Sequence, residues 1–134
     1  PGFLKGRRIM LVEDNELNRE IAYELLSESG LIVDVAENGQ EAIKLLGIRP
    51  ENYYELIFMD IQMPVMNGYE ATATIRAGES DYWKTIPVIA MTANVFQEDE
   101  SRAAECGMSD YVTKPIDMNV IYSVLEKWLR GQKG

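Results

Sequence analysis

Histidine is absent from the 134 residues, and cysteine occurs once, at Cys106. With no imidazole, Ser/His and Cys/His catalysis are excluded, and one thiol leaves too few soft donors for a zinc knuckle. That single thiol cannot close an internal disulfide, and it fits a reducing, cytoplasmic compartment. No apolar run approaches the ~20 residues that span a bilayer, and no secretory leader opens the sequence. Positive charge is scarce: 13 Lys and Arg stand against 22 Asp and Glu, a net charge of −9, with Lys5, Arg7 and Arg8 the only basic cluster. Nucleic acid demands a positive face, and anionic membranes repel this balance, so neither is an expected partner.

What is present is enough apolar material, 46% of residues, for one packed domain over 1–134 with a core of about 7–130. Short apolar runs alternate with helical periodicity. Residues 8–12, 32–36, 56–59, 87–91 and 110–113 read as strands. Asn15 caps a helix with Leu17, Ile21 and Leu25 on its apolar face, stopped by Gly30. Asn38 and Glu41 form a capping-box pattern before Ala42, Leu45 and Leu46. Further helices are expected near 69–77 and over 96–106, the latter polar. Asp117 opens a last one, where Val120, Val124 and Trp128 flank Ile121, Leu125 and Leu129. Residues 47–54 read as a loop, and Tyr53-Tyr54 and Tyr82-Trp83 as loop residues capping the surface. The seven methionines read as packing material, and Cys106 as a small buried residue. Five strands alternating with five helices predict an α/β fold, a parallel sheet covered on both faces.

In such a sheet, ligands bind at the carboxyl ends of the strands. Those ends carry Glu13-Asp14, Asp60, Thr92 and Lys114-Pro115. Singly, each has an ordinary reading: a solvated acid pair, a turn aspartate, a structural threonine, an exposed lysine. Jointly, three carboxylates, a hydroxyl and an ammonium share one rim. Clustered carboxylates repel, which raises their proton affinity or recruits a cation. With oxygen donors and no His or Cys cluster, that cation is a hard one, Mg2+ above all. Mg2+ and Lys114 would neutralise the equatorial oxygens of a phosphoryl group while Asp60 attacks in line, with Thr92 hydrogen-bonding the product.

Val12-Glu13-Asp14-Asn15, Met59-Asp60-Ile61-Gln62-Met63-Pro64-Val65-Met66-Asn67-Gly68, Met91-Thr92-Ala93-Asn94 and Tyr111-Val112-Thr113-Lys114-Pro115 resemble, in order, the motifs of response-regulator receiver domains of two-component signalling. The likeness covers about residues 7–130 and is greatest to receivers of hybrid sensor histidine kinases. It implies a flavodoxin-like (βα)5 doubly wound parallel sheet with strand order 2-1-3-4-5, the order that chemotaxis receivers share with flavodoxin. It implies a signalling phosphoacceptor rather than an enzyme, one that catalyses its own phosphorylation and slow autodephosphorylation. Asp60 is the implied phosphoacceptor. Glu13, Asp14, Asp60 and the Gln62 backbone carbonyl are the implied Mg2+ ligands. Thr92 and Tyr111 are the implied switch residues, Lys114 the implied partner of the phosphoryl group, and Lys114–Pro115 an expected cis peptide. The implied partner is a histidine kinase or histidine phosphotransfer domain. The domain itself is expected to be a monomer in the cytoplasm, free or as part of a membrane-bound hybrid kinase. The readout face is expected on the fourth helix, fifth strand and fifth helix. Gln62 and Asn94 occupy positions that the family varies to set phosphoryl lifetime.

Three other readings compete. An aspartate-nucleophile phosphatase usually carries an acid two residues after its nucleophile, where this chain has Gln62, which cannot donate a proton that way. A flavin or nucleotide module needs a phosphate-cradling loop after the first strand, but Glu13-Asp14-Asn15-Glu16 would repel phosphate. A degenerate receiver that only docks partners would not need the full set of acids, Asp60, Thr92 and Lys114.

Overall fold

Five short apolar runs become strands of one parallel sheet because each is followed by a helix that carries the chain back across it. The computed structural model describes residues 2–63, 65–93 and 97–129. A 3-10 turn, Gly2–Leu4, precedes β1 (Arg8–Val12), α1 (Glu16–Glu28), β2 (Ile32–Ala36), α2 (Gly39–Ile48) and β3 (Leu56–Asp60). Then follow α3 (Gly68–Arg76), α4 (Asp81–Thr85), β4 (Val88–Thr92), α5 (Gln97–Cys106), β5 (Asp110–Thr113) and α6 (Met118–Leu129). The strand order is β2-β1-β3-β4-β5, all parallel, as the sequence motifs imply.

Side-chain alternation divides the core between the two faces. Met10, Val12, Ile57, Met59, Val88 and Ala90 pack with Ala42 and Leu46 of α2 and Ala71 and Ile75 of α3. Ile9, Leu11, Leu56, Phe58, Ile89 and Met91 face the other way, onto Ala22 and Leu26 of α1 and Ile121 and Leu125 of α6. Central β3 is buried along its whole length, and each large side chain there contributes about 1.5–3 kcal/mol of burial. Arg7 is buried at the opposite end of the sheet from the acidic rim. Its Nη1 donates to Glu55 Oε1 (3.0 Å) and the Leu129 carbonyl (2.9 Å), and its Nε to the Phe3 carbonyl (2.8 Å).

Register places the polar strand ends together. Val12 pairs with Met59, so the next residues, Glu13 and Asp60, emerge side by side. Asp60 pairs with Met91, the residue before Thr92. Thr92 pairs with Thr113, and Lys114 N–H donates to the Thr92 carbonyl at 2.8 Å.

Several sequence expectations are corrected. There are six helices among the described residues, not five, since Tyr82 and Trp83 lie on α4, capped by Ser80. Tyr54 is no surface cap: it is 1% exposed, donates its hydroxyl to Asp34 Oδ2 (2.6 Å) and exchanges two backbone bonds with the Tyr82 hydroxyl. A run of polar and Pro residues hid this pairing, which joins positions 28 apart in sequence. On α1, Ala22 and Leu26 face the core, while Leu17 (65% exposed) and Ile21 (49%) face outward. The Asn38 cap holds Glu41 N–H, but Glu41 Oε1 accepts from Glu37 N–H, one residue before the cap, so the box is incomplete. The reciprocal box is instead Asn67–Glu70 on α3. Expected helical position 96 lies outside the described residues. Cys106 is half-buried.

Val65, in the loop after β3, is 74% exposed and has φ +70°. A β-branched residue is strained in this left-handed region, whereas Asn tolerates it. Val65→Asn is therefore expected to raise stability by about 1 kcal/mol, read as a higher urea midpoint at unchanged slope.

Candidate functional site

Three carboxylates meet at the carboxyl rim. One oxygen from each of Glu13, Asp14 and Asp60 lies within 4.8 Å of the others. Glu13 and Asp60 are almost fully buried, at 3% and 2% exposure, while Asp14 is exposed. The buried pair is held by fixed donors. Lys114 Nζ lies 2.9 Å from Asp60 Oδ1 and 3.1 Å from Glu13 Oε1, bridging the two. The backbone N–H of Asn15 donates to Glu13 Oε2 (3.1 Å), and that of Gln62 to Asp60 Oδ1 (3.2 Å). Burying two acids so close is tolerable only because an ammonium and two backbone dipoles replace the water they lose.

Local chain geometry makes this possible. Asn15 caps α1 by accepting from Asn18 N–H (2.9 Å), which turns its own N–H back toward Glu13. Gly68 opens α3 directly against the site loop: a Cβ there would lie 2.4 Å from the Asp60 carbonyl oxygen and 2.9 Å from Ile61 Cα. Its N–H donates to the Ile61 carbonyl (2.9 Å). The Lys114–Pro115 peptide is cis.

Thr92 is half-buried at the end of β4, one strand from Asp60. Tyr111 lies on β5, 38% exposed, on an outer part of the domain rather than within the acidic cluster. Asn94 lies outside the described residues. Sequence reasoning missed three contributors: the Asn15 N–H, the close approach at Gly68, and Arg19, whose Nη1 reaches the Glu13 (3.1 Å) and Asp14 (3.4 Å) carbonyls. A lone arginine one turn into a helix reads as solvated. Only its spacing from the acid pair hinted otherwise.

Burial, and then the neighbouring Glu13 carboxyl, push the Asp60 pKa from 3.8 up to about 7 against the pull of Lys114. Burial alone would lower Lys114, but Asp60 and Glu13 outweigh it and raise its pKa, so the ammonium persists. All ligand atoms in the cluster are oxygen, which fits a hard divalent cation and no soft one.

The folded state binds the Asp60 proton more tightly than the unfolded chain. Its contribution to stability is full below about pH 4 and is lost as pH rises through about 7. Metal-free Asp60→Asn should therefore melt above the parent at pH 8, with a smaller gap at pH 5. Thermal unfolding in EDTA at both pH values reads this directly.

Residues 9–126 match the family described as the response regulator receiver domain. Histidine kinase 3 of Arabidopsis thaliana is 37% identical over 96% of this chain, and hybrid signal transduction histidine kinase I of Dictyostelium discoideum is 36% identical over 89%. The chain spans only 14% and 7% of those two proteins. Among solved structures, the receiver domain of a sensor histidine kinase from Pseudomonas aeruginosa, described with magnesium coordinated in its active-site cleft, is 34% identical. It superposes with a TM-score of 0.81, covering 92% of this chain and 97% of that one. The complex of a Saccharomyces cerevisiae histidine phosphotransfer protein with the receiver of its downstream response regulator gives 30% identity and a TM-score of 0.83, over 96% and 92%. By its motifs, its strand order and this match, the chain belongs to the response regulator receiver domain family.

Proposed function

We propose that this chain, as a single receiver domain over 1–134, accepts a phosphoryl group from a partner phosphohistidine onto Asp60 and signals by a change of surface. The observation that carries the reading is the bridged pair: Asp60 Oδ1 is engaged by Lys114 and Gln62 N–H, and Oδ2 takes no part in those contacts. Oδ2 is the oxygen proposed to attack phosphorus. The P–N bond breaks as the P–O bond forms, and the phosphorylated ring nitrogen takes the electron pair; with a proton on its other ring nitrogen the histidine leaves as neutral imidazole. Glu13, Asp14, Asp60 and the Gln62 carbonyl are the proposed holders of Mg2+. When bound, that ion supplies positive charge against the phosphoryl oxygens. Lys114 pairs with the transferred group, and Thr92 donates to it from the next strand. This makes the domain a phosphoacceptor that promotes its own modification, with slow self-hydrolysis, rather than an enzyme with a turnover substrate. Tyr111, with α5 and the α6 surface, forms the proposed readout.

Partner docking is proposed beside the site. A groove of about 320 Å3 is lined by Ile21, Ala22, Met91, Pro115 and Ile116 around Glu13 and Lys114. Exposed Leu17 and Ile21 extend its apolar wall along α1. An apolar rim around a charged floor suits a helix that presents a phosphohistidine, as on a histidine kinase or phosphotransfer domain. A cytoplasmic setting goes with this partner. Among the described residues, no helix is long and apolar enough to cross a membrane.

Incubation with acetyl phosphate should give one Mg2+-dependent phosphoryl adduct by intact mass, absent in Asp60→Asn. Full labelling of that variant would overturn the assignment. Ile21→Glu should slow transfer from a phosphohistidine protein about tenfold while leaving acetyl phosphate labelling unchanged, because only the protein donor needs the groove. Equal loss with both donors would remove the docking surface from the proposal.

A further inference from the structure

Asp14 stands apart from the other two acids. Its carboxylate is exposed and has no hydrogen-bond or ion-pair partner among the described residues, whereas Glu13 and Asp60 are each held by Lys114 and a backbone N–H. The direction of the Asp14 side chain is therefore set by its backbone alone. That backbone lies just beyond the last ladder pair of β1. Glu13 N–H still donates to the Ala36 carbonyl (3.0 Å) and Asn15 N–H to Glu13 Oε2 (3.1 Å), so the N–H groups on either side of Asp14 are held, while the Glu13 and Asp14 carbonyls lie past the ladder.

Arg19 supplies the restraint on the carbonyl side. Its side chain is 15% exposed and turned inward. Nη1 donates to the carbonyls of both Glu13 (3.1 Å) and Asp14 (3.4 Å). Nη2 lies 3.4 Å from Glu37 Oε1, on the loop after β2. The residue's own N–H is fixed to the Asn15 carbonyl (2.8 Å), so the arm starts from an ordered helical turn. A planar fork between two successive carbonyls and a carboxylate is a geometry that a lysine ammonium reproduces poorly.

We infer that Arg19 is a positioning residue for the metal ligands: it clamps the peptide planes of Glu13 and Asp14 so that the unpartnered Asp14 carboxylate stays aimed at the site. This rests on the Mg2+ reading of the acidic cluster. Arg19 is itself no proposed ligand, since its guanidinium is taken up by the two carbonyls and Glu37, and as a cation near three acids it opposes metal binding through space. Glu37 offsets that charge. The two effects have opposite signs, which makes the role testable.

If Arg19 acts only as a charge, Arg19→Met tightens Mg2+ binding. If it positions, Arg19→Met weakens binding by about tenfold, the usual scale for losing an outer-shell partner. Mg2+ affinity is read from the rise in melting temperature with Mg2+ concentration, which needs no phosphorylation. In acetyl phosphate labelling, the Mg2+ concentration for half-maximal rate should rise in parallel, while the rate at saturating Mg2+ returns to the parent's. Arg19→Lys retains the charge and stem but not the fork, and should also weaken binding; it serves if Arg19→Met does not fold. Folded variants that bind Mg2+ as tightly as the parent, or more tightly, overturn the inference. A parent whose melting temperature ignores Mg2+ overturns the metal reading beneath it instead.

Discussion

The bridge from Lys114 Nζ to both Glu13 and Asp60 is the interaction on which the rest of the rim depends. Two carboxylates almost without solvent exposure would repel strongly in a low-dielectric setting. One ammonium between them makes the pair tolerable without neutralising it; burial first, and then the Glu13 carboxyl, leave Asp60 with a high proton affinity. The geometry of the domain thus keeps the site short of positive charge. A divalent cation would supply the charge that the rim lacks, whereas a phosphoryl group without one would add to its excess of negative charge.

That arrangement is imposed by sheet register more than by the loops. Parallel pairing of β1 with β3, β3 with β4 and β4 with β5 sets four strand ends in a row, and the first residue past each ladder turns into the same rim. The loops then refine the placement through backbone groups: Asn15 N–H on Glu13, Gln62 N–H on Asp60, and Gly68 allowing α3 to abut the Asp60 carbonyl. Core packing on both sheet faces supplies the rigidity, so the polar groups can keep distances that side-chain flexibility would otherwise blur.

The strands were legible in the sequence because buried parallel strands are continuous apolar runs ending abruptly in polar residues, as at Val12-Glu13 and Met59-Asp60. The rim residues followed from that pattern together with the motif order. Helix faces were less legible. On α1 the four-residue repeat of Leu17 and Ile21 suggested a core face, yet the sheet is met by Ala22 and Leu26. Periodicity reports an apolar stripe and does not distinguish a core from a docking surface. Short α4 was hidden because five residues are too few for a repeat, and the Tyr54–Tyr82 pairing because it is a tertiary contact. Arg19 was missed because its hydrogen bonds go to backbone carbonyls, which leave no trace in residue identity.

The position of β5 has a consequence for how the chain is made. It is an edge strand, paired only with β4, and it comes last among the strands in sequence. Every pairing in the sheet is parallel and must close over an intervening helix, so none forms locally and loop entropy is lost before contacts repay it. During synthesis Glu13, Asp14 and Asp60 emerge well before Lys114. A nascent chain that has paired β1 with β3 therefore already juxtaposes its acids with no ammonium to separate them. Their mutual repulsion works against that early pairing until β5 docks. The rim that joins the earliest strands is therefore completed only after the fifth strand has emerged and docked.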